Sequence, residues 1–252
     1  MSYKSIMAGL LAGISLCSLT GCLGDDEVSD ERSVTATVTL FEEEDGGCYG
    51  AVDGGGLLHI TASSIQKTLG NNGISGIKRA VVACTYNEKN KSKQPNTNEI
   101  VISKAELYAF MTIPVFPVYV PNSSEEADSV IAAASQPDSI HAIDQINELY
   151  VYNGYLTIDY SASCNYKVMP ALTIVCDSLK GNDAYFRMMF NDHASITTTI
   201  NKYLYSYNMA NSGIKFPRDS VNLHFTGRVG SRPDYKVDFK VAPERLSPYV
   251  VK

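Results

Sequence analysis

Residues 148–160 read Glu148-Leu149-Tyr150-Val151-Tyr152-Asn153-Gly154-Tyr155-Leu156-Thr157-Ile158-Asp159-Tyr160. Two runs of β-branched, aliphatic and aromatic residues meet at Asn153-Gly154. That dipeptide is the strongest short-range hairpin signal, because a type I′ turn needs positive φ at both central positions. The stretch predicts two antiparallel strands and sets the class of the chain around it: all-β.

Downstream, alternation with a period of two recurs. Ala171 to Cys176 is an apolar run. Phe186, Met188 and Phe190 alternate with Tyr185, Arg187 and Met189, and Tyr203, Tyr205 and Tyr207 share one face of a strand. Val221, Leu223 and Phe225 alternate with Asn222, His224 and Thr226. Tyr235, Val237, Phe239 and Val241 alternate with Lys236, Asp238 and Lys240. About seven strands spaced by Gly, Asn and Pro turns predict an antiparallel β-sandwich over residues 139–243, with 244–252 as a C-terminal tail.

Upstream, Val34, Ala36, Val38 and Leu40 alternate with Thr35, Thr37 and Thr39, a half-buried strand. Cys48 to Val52 and Leu57 to Ile60 flank Asp53-Gly54-Gly55-Gly56, a second hairpin. Ser63 or Ser64 caps a short helix carrying Ile65 and Leu69, stopped at Gly70. Arg79 to Tyr86 reads as a strand buried on both faces. Asn87 to Asn98 reads as a polar loop, and Ile100 to Pro114 as another long strand or strand pair. These elements predict a small closed barrel over residues 33–121, ended by Pro114, Pro117 and Pro121. Residues 122–138, rich in Ser, Ala, Glu and Asp, read as an exposed interdomain loop.

The N-terminus carries an address. Ile6 to Leu19 is uncharged, follows Lys4, and is too short to span ~30 Å of hydrocarbon comfortably, so residues 1–21 read as a cleaved signal peptide. Leu19-Thr20-Gly21-Cys22 resembles a bacterial lipobox. The resemblance implies cleavage between Gly21 and Cys22, with lipid on the Cys22 thiol. Several acyl chains at about 0.8 kcal/mol per buried methylene make a firm anchor. Residues 22–32 form an acidic tether. Leu23 after the cysteine resembles the outer-membrane sorting pattern. Asp25, Asp26 and Glu27 resemble a surface-export signal, which implies the cell surface, with the periplasmic face as the alternative.

The chain carries a net charge of −6; loss of residues 1–21, whose only charge is Lys4, leaves −7. Nucleic acid is not an expected partner, since counterion release needs clustered Lys and Arg. Removal of Cys17 and lipidation of Cys22 leave Cys48, Cys84, Cys164 and Cys176. Without CxxC spacing they do not suggest zinc. They read as buried thiols in apolar strands, with a disulfide in each half as the alternative.

Candidate chemistry is sparse. Ser64-Ile65-Gln66-Lys67 spells the SxxK of penicillin-recognising enzymes, but the partner motifs Ser-Asp-Asn and Lys-Thr-Gly are missing, and a helix start explains Ser64. His59, His141, His193 and His224 stand far apart, and Asn191-Asp192-His193 reads as a polar turn rather than a cation site. Tyr203, Tyr205 and Tyr207 read as core rather than a stacking platform. Asp128-Ser129-Val130 and Asp138-Ser139-Ile140 resemble O-glycosylation sites of Bacteroidetes, which makes Ser129 and Ser139 candidates. Asp177-Ser178-Leu179 and Asp219-Ser220-Val221 match the same short pattern.

Taken in order, the lipobox, acidic tether, barrel, loop and Tyr152-Asn153-Gly154-Tyr155-Leu156-Thr157-Ile158 hairpin resemble the NigD-like lipoproteins of Bacteroidetes. So do Phe186-Arg187, Asn191-Asp192-His193-Ala194 and the closing Val221–Val241 hairpin. Where typical members have a longer Gly-rich or charged turn, this chain has Ser163-Cys164-Asn165-Tyr166-Lys167. The resemblance implies an N-terminal oligonucleotide/oligosaccharide-binding (OB) type barrel followed by a β-sandwich, and no known catalytic residues. The expected function is a non-enzymatic, lipid-anchored binding or scaffolding protein of the outer membrane, without cofactor or metal, holding a protein, peptide or glycan partner. An envelope hydrolase acting on glycan or peptidoglycan, with paired carboxylates, is one alternative. A bacteriocin-associated immunity or export role, implied by the family name, is the other.

Overall fold

A computed structural model describes residues 30–94, 99–123, 125, 126, 128, 129, 143–163, 171–191 and 199–249. Strands dominate. The chain divides into two compact units, with the boundary between Thr112 and Ile113.

The first unit is a closed barrel. Its strands are β1 (Glu31–Glu42), β2 (Cys48–Val52), β3 (Leu57–Ile60), β4 (Arg79–Asn87), β5 (Lys91–Lys93) and β6 (Ile100–Thr112). They run in the order β3-β2-β1-β4-β6-β5, and a parallel β3–β6 pairing closes the first five of that order into a ring. A helix, α1 (Ala62–Leu69), connects β3 to β4. With β5 set aside as an appendage on β6, this ring and helix placement is the OB topology. Val38, Leu40, Leu58, Ile60, Val82, Ile102 and Leu107 fill the interior, and Ile65 of α1 joins them. The Thr68 hydroxyl donates to the Leu107 carbonyl at 2.8 Å and pins α1 to β6.

Three local expectations change here. The helix N-cap is Thr61, not Ser63 or Ser64. β1 begins at Glu31, inside the expected tether. The expected loop 87–98 contains a 3-10 turn (Glu88–Asn90) and β5, which pairs with β6. Two of its three lysines meet acidic neighbours: Lys89 meets Asp30 at 2.9 Å and Lys91 meets Glu88 at 3.1 Å.

The second unit is a sandwich of two four-stranded sheets. One is β7 (Val115–Pro117), β12 (Ile200–Asn208), β9 (Tyr155–Ser163) and β8 (Gln145–Tyr152), in that spatial order. The other is β10 (Ala171–Lys180), β11 (Asp183–Asn191), β13 (Val221–Val229) and β14 (Arg232–Val241). The expected antiparallel pairing holds except at β7–β12 and β11–β13, which are parallel. One core, including Leu156, Ile158, Tyr160, Ile174, Phe186, Tyr207, Leu223 and Phe225, joins the sheets.

The expected barrel limit at residue 121 is too late. Val115–Pro117 adds to β12 of the sandwich, and Tyr119 bridges to Val175 of β10. Proline is compatible with an edge strand, and β7 is one. The described residues of the expected interdomain loop, 122, 123, 125, 126, 128 and 129, therefore belong to the second unit, and the rest of 122–138 lies outside the described residues. The described part starts with a capping arrangement: Glu126 N donates to Ser123 Oγ, while the Glu126 carboxylate takes Asn122 N at 2.7 Å and the Tyr119 hydroxyl. The expected tail also folds back. Helix α2 (Pro243–Leu246) buries Leu246, and the Arg245 carbonyl accepts from Gly154 N at 2.9 Å.

The tyrosine row on β12 is core. Tyr205 and Tyr207 are buried, and Tyr203 packs on the same cluster, with Tyr160 stacked on Tyr203 at 5.3 Å. The Tyr207 hydroxyl donates to the Leu172 carbonyl of the opposite sheet, and burial pushes its phenol well above the ordinary value. Tyr207→Phe is expected to cost about 1–2 kcal/mol by leaving that carbonyl short of a donor. Urea unfolding followed by circular dichroism checks this; equal midpoints would remove the cross-sheet bond from the account.

Candidate functional site

The sequence-based candidates separate rather than converge. Gly21, Cys22, Ser139, Cys164 and Asp192-His193 lie outside the described residues. Ser129 is exposed, in a helical stretch that follows the Ser123 cap. Asp177, by contrast, is committed to Arg187 at 3.0 Å within the outer face of a sheet. Ser64 is buried; its hydroxyl donates to the Thr61 carbonyl at 2.9 Å and accepts from the Thr61 hydroxyl at 3.0 Å. Lys67 is exposed and is not among the partners of Ser64, so this pair is a helix start and not a nucleophile with its base. Cys48, Cys84 and Cys176 are buried free thiols, as expected, and desolvation pushes them up to about 12, 12 and 11. Such thiols are protonated and unreactive at neutral pH.

What the structure does assemble are two histidine clusters on strand faces turned away from the cores. In the barrel, register aligns Phe41 of β1 with Tyr49 of β2, and Tyr49 with His59 of β3. The Tyr49 and His59 rings stack at 4.8 Å. His59 Nε2 lies 2.6 Å from the Glu43 carboxylate, and the hydrogen bond with Glu43 pushes the Tyr49 phenol upward. Glu43 comes from the acidic β1–β2 turn, which Asp45 shapes by accepting from Gly47 N at 2.8 Å.

The sandwich cluster spans three strands. Its centre is His224 of β13. Nε2 lies 2.9 Å from Asp183 Oδ1 of β11, and Nδ1 lies 2.8 Å from Asp238 Oδ1 of β14. Asn222 also donates to Asp183 Oδ1 at 2.9 Å. Tyr185 stacks on the imidazole at 4.6 Å with 15° between planes, and Lys180 Nζ stands 5.6 Å from the Tyr185 ring centre. A neutral imidazole has one N–H and cannot donate to two carboxylates; the imidazolium can. Accordingly the Asp183 hydrogen bond, reinforced by Asp238, raises the His224 pKa, and His224 with Asn222 lowers that of Asp183.

This arrangement stabilises a cation. It is not the acid–base pair a glycosidase needs. That chemistry requires one carboxyl with a raised pKa facing a second across the bond to be cut. Here Asp183 moves down, and both carboxylates are occupied by the same ring. Among the described residues, no group of three His, Cys, Asp or Glu side chains is placed to hold a metal ion, and no helix is long and apolar enough to cross a membrane.

Neither cluster is written in the local sequence, because its members are distant along the chain. His224 is 14 residues from Asp238 and 41 from Asp183. The alternation of β13 and β14 did carry a partial signal, since it placed His224 and Asp238 on outward faces.

No family model and no curated protein matches the chain. Solved structures do. A protein from Parabacteroides distasonis described as toxin-related superposes with a TM-score of 0.57 at 14% identity, covering 85% of this chain and 96% of its own. A protein of unknown function from Bacteroides vulgatus gives 0.53 at 13%, covering 87% and 96%. A NigD-like immunity protein from Bacteroides caccae gives 0.52 at 14%, covering 84% and 97%. At such identities the likeness establishes a shared fold. The barrel-plus-sandwich arrangement expected from the NigD-like resemblance is therefore the one this chain adopts.

Proposed function

We propose that the chain is a non-catalytic, lipid-anchored binding protein of the outer membrane, of the NigD-like type. The observation that carries this reading is fold likeness over more than four-fifths of the chain to proteins of Bacteroides and Parabacteroides, one of them a NigD-like immunity protein. The Leu19-Thr20-Gly21-Cys22 motif supplies the anchor, and the acidic tether that follows it favours the outer face. In this reading the two β units are rigid scaffolds that display side chains to a protein, peptide or glycan partner. Ser129, one of the two glycosylation candidates, is exposed beside Asp128.

The anchor has a direct test. Cys22→Ala is expected to move the protein from the membrane fraction to the soluble fraction, or to leave it as unprocessed precursor. Unchanged partition into detergent-extractable membrane would overturn the lipoprotein reading. Protease shaving of intact cells then reports the face, with cleavage expected on the outside.

A second reading is favoured by the names of two structural relatives, one an immunity protein and one described as toxin-related. In it the partner is a bacteriocin-like polypeptide, and the chain protects the cell that carries it. A strain lacking the chain should become more sensitive to protease-labile inhibitors in culture supernatants of related strains. Equal sensitivity would leave the general binding role and remove this specific one.

A further inference from the structure

We propose that His224 is a proton-operated staple: as an imidazolium it ties β11 to β14 across β13, and on losing a proton it lets β14 go. Among the described residues β14 is the edge of its sheet, hydrogen-bonded to β13 alone. Edge strands are where a sheet opens first and where another chain can pair. The staple therefore sets, by pH, how firmly this edge is closed.

The geometry carries the inference. Both ring nitrogens of His224 point at carboxylate oxygens on different strands, at 2.8 and 2.9 Å. Only the doubly protonated ring can make both bonds. When the pH rises, the N–H bond facing Asp238 breaks and its proton passes to water. The ring keeps its second proton for Asp183, which is the less exposed carboxylate of the two (38% against 64%) and is also held by Asn222. The lone pair left on Nδ1 then faces the Asp238 carboxylate, and the contact becomes repulsive.

The charged and titratable groups around the ring come from β10, β11 and β14. β10 contributes Lys180, opposite Asp183 in the register and 5.6 Å from the Tyr185 ring centre. β11 contributes Asp183 and Tyr185, with Arg187 in the next row facing Thr226. β14 contributes Asp238, with Lys240 opposite Asn222 and Lys236 opposite Thr226. The lysines disfavour the imidazolium but all stand in the rows on either side of His224. The two carboxylates touch it and prevail, in agreement with the raised His224 and lowered Asp183.

The sign follows. A histidine raised above its ordinary 6.5 adds stability that is complete below 6.5 and is lost as pH climbs through the raised value. Asp183, lowered from 3.8, adds stability present above 3.8 and lost as pH falls through its lowered value. The staple is closed between those limits and opens as pH climbs through the raised His224 value.

The test uses the full chain. Nitrogen-15 correlation spectra of the imidazole rings, with the His224 signal assigned by its loss in His224→Gln, should show both ring nitrogens protonated at pH 6. The His224 midpoint should lie above 6.5 and should fall in Asp238→Asn. Hydrogen exchange of residues 232–241, corrected for intrinsic rates, should speed up about two- to fivefold across that midpoint, the scale of one exposed ion pair. The step should vanish in His224→Gln and shrink in the nearly isosteric Asp238→Asn. A midpoint at or below 6.5, or an exchange profile for 232–241 identical in the parent and Asp238→Asn chains, would overturn the proposal.

Discussion

Asp53→Asn is expected to destabilise the barrel unit by about 3–5 kcal/mol, the cost of stranding a buried charge. The Arg79 side chain is fully buried (0% exposed) and that of Asp53 nearly so (7%). The guanidinium grips both carboxylate oxygens, and its Nη1 also donates to the Thr39 hydroxyl at 2.9 Å. Arg79 opens β4 opposite Thr39 of β1, while Asp53 follows the last residue of β2. The pair thus ties the Asp53-Gly54-Gly55-Gly56 turn to two strands of the ring. Arg79→Lys keeps the charge but loses the planar fork, so it should fall between parent and Asp53→Asn. Removing both charges in Asp53→Asn with Arg79→Met should recover most of the loss, since a paired buried charge is costly to break and cheap to replace. Urea unfolding of the parent, Asp53→Asn, Arg79→Met and the double variant measures the cycle, with Arg79→Lys compared alongside. A loss below about 1 kcal/mol in Asp53→Asn, or a double variant no better than the worse single one, would refute the assignment.

Gly154→Ala should be nearly as damaging, at about 2–4 kcal/mol from backbone strain plus overpacking. Gly154 has φ +80° in the β8–β9 turn, and an added Cβ would stand 2.7 Å from Ala210 Cβ and 3.3 Å from backbone atoms of Ser247 and Pro248. The turn is gripped on two sides. Met209 and Ala210 amides donate to the Gly154 carbonyl at 2.8 and 3.0 Å, and the Arg245 guanidinium lies 4.2 Å from the Tyr152 ring centre. Gly181 is the control: its φ is +61° but nothing lies within 4 Å of a built Cβ. Gly181→Ala should therefore cost only the backbone strain, about 1 kcal/mol. Thermal unfolding distinguishes the two; equal losses would show that crowding at Gly154 plays no part.

The same turn shows how much was legible. Asn153-Gly154 has positive φ at both positions, 52° and 80°, as the dipeptide demanded. The β2–β3 hairpin, the buried β4 and the alternating β11, β13 and β14 also follow from period and turn chemistry alone. These are properties of neighbouring residues, decided by sterics and by which face meets water. The errors fall where distant segments settle the outcome. Pro117 looked like the end of a domain and is instead the edge of the sandwich, because β12 was there to accept it. Residues 244–252 looked like a tail, but Leu246 fills a site in the sandwich core.

The histidine cluster depends on the same kind of information. A two-residue hairpin counted back from Val229 and Arg232 would set His224 opposite Val237. A bulge between Gly227 and Val229 shifts the register so that Asp238 faces it instead. The partner on β11 comes from a parallel pairing, which no turn connects and no local pattern announces. Likewise Arg79 read as one residue of an apolar strand, and its buried partner 26 positions earlier was invisible.

By itself, then, the sequence determined the all-β class, most strand positions and the inward faces, because each is written in adjacent residues. The tertiary structure alone decided ring closure by β3–β6, the unit boundary at Thr112, the buried Arg79–Asp53 pair and the Asp183–His224–Asp238 cluster. Each of those requires two segments far apart in the chain to share a hydrogen bond, and which segments meet is settled only when the two cores close.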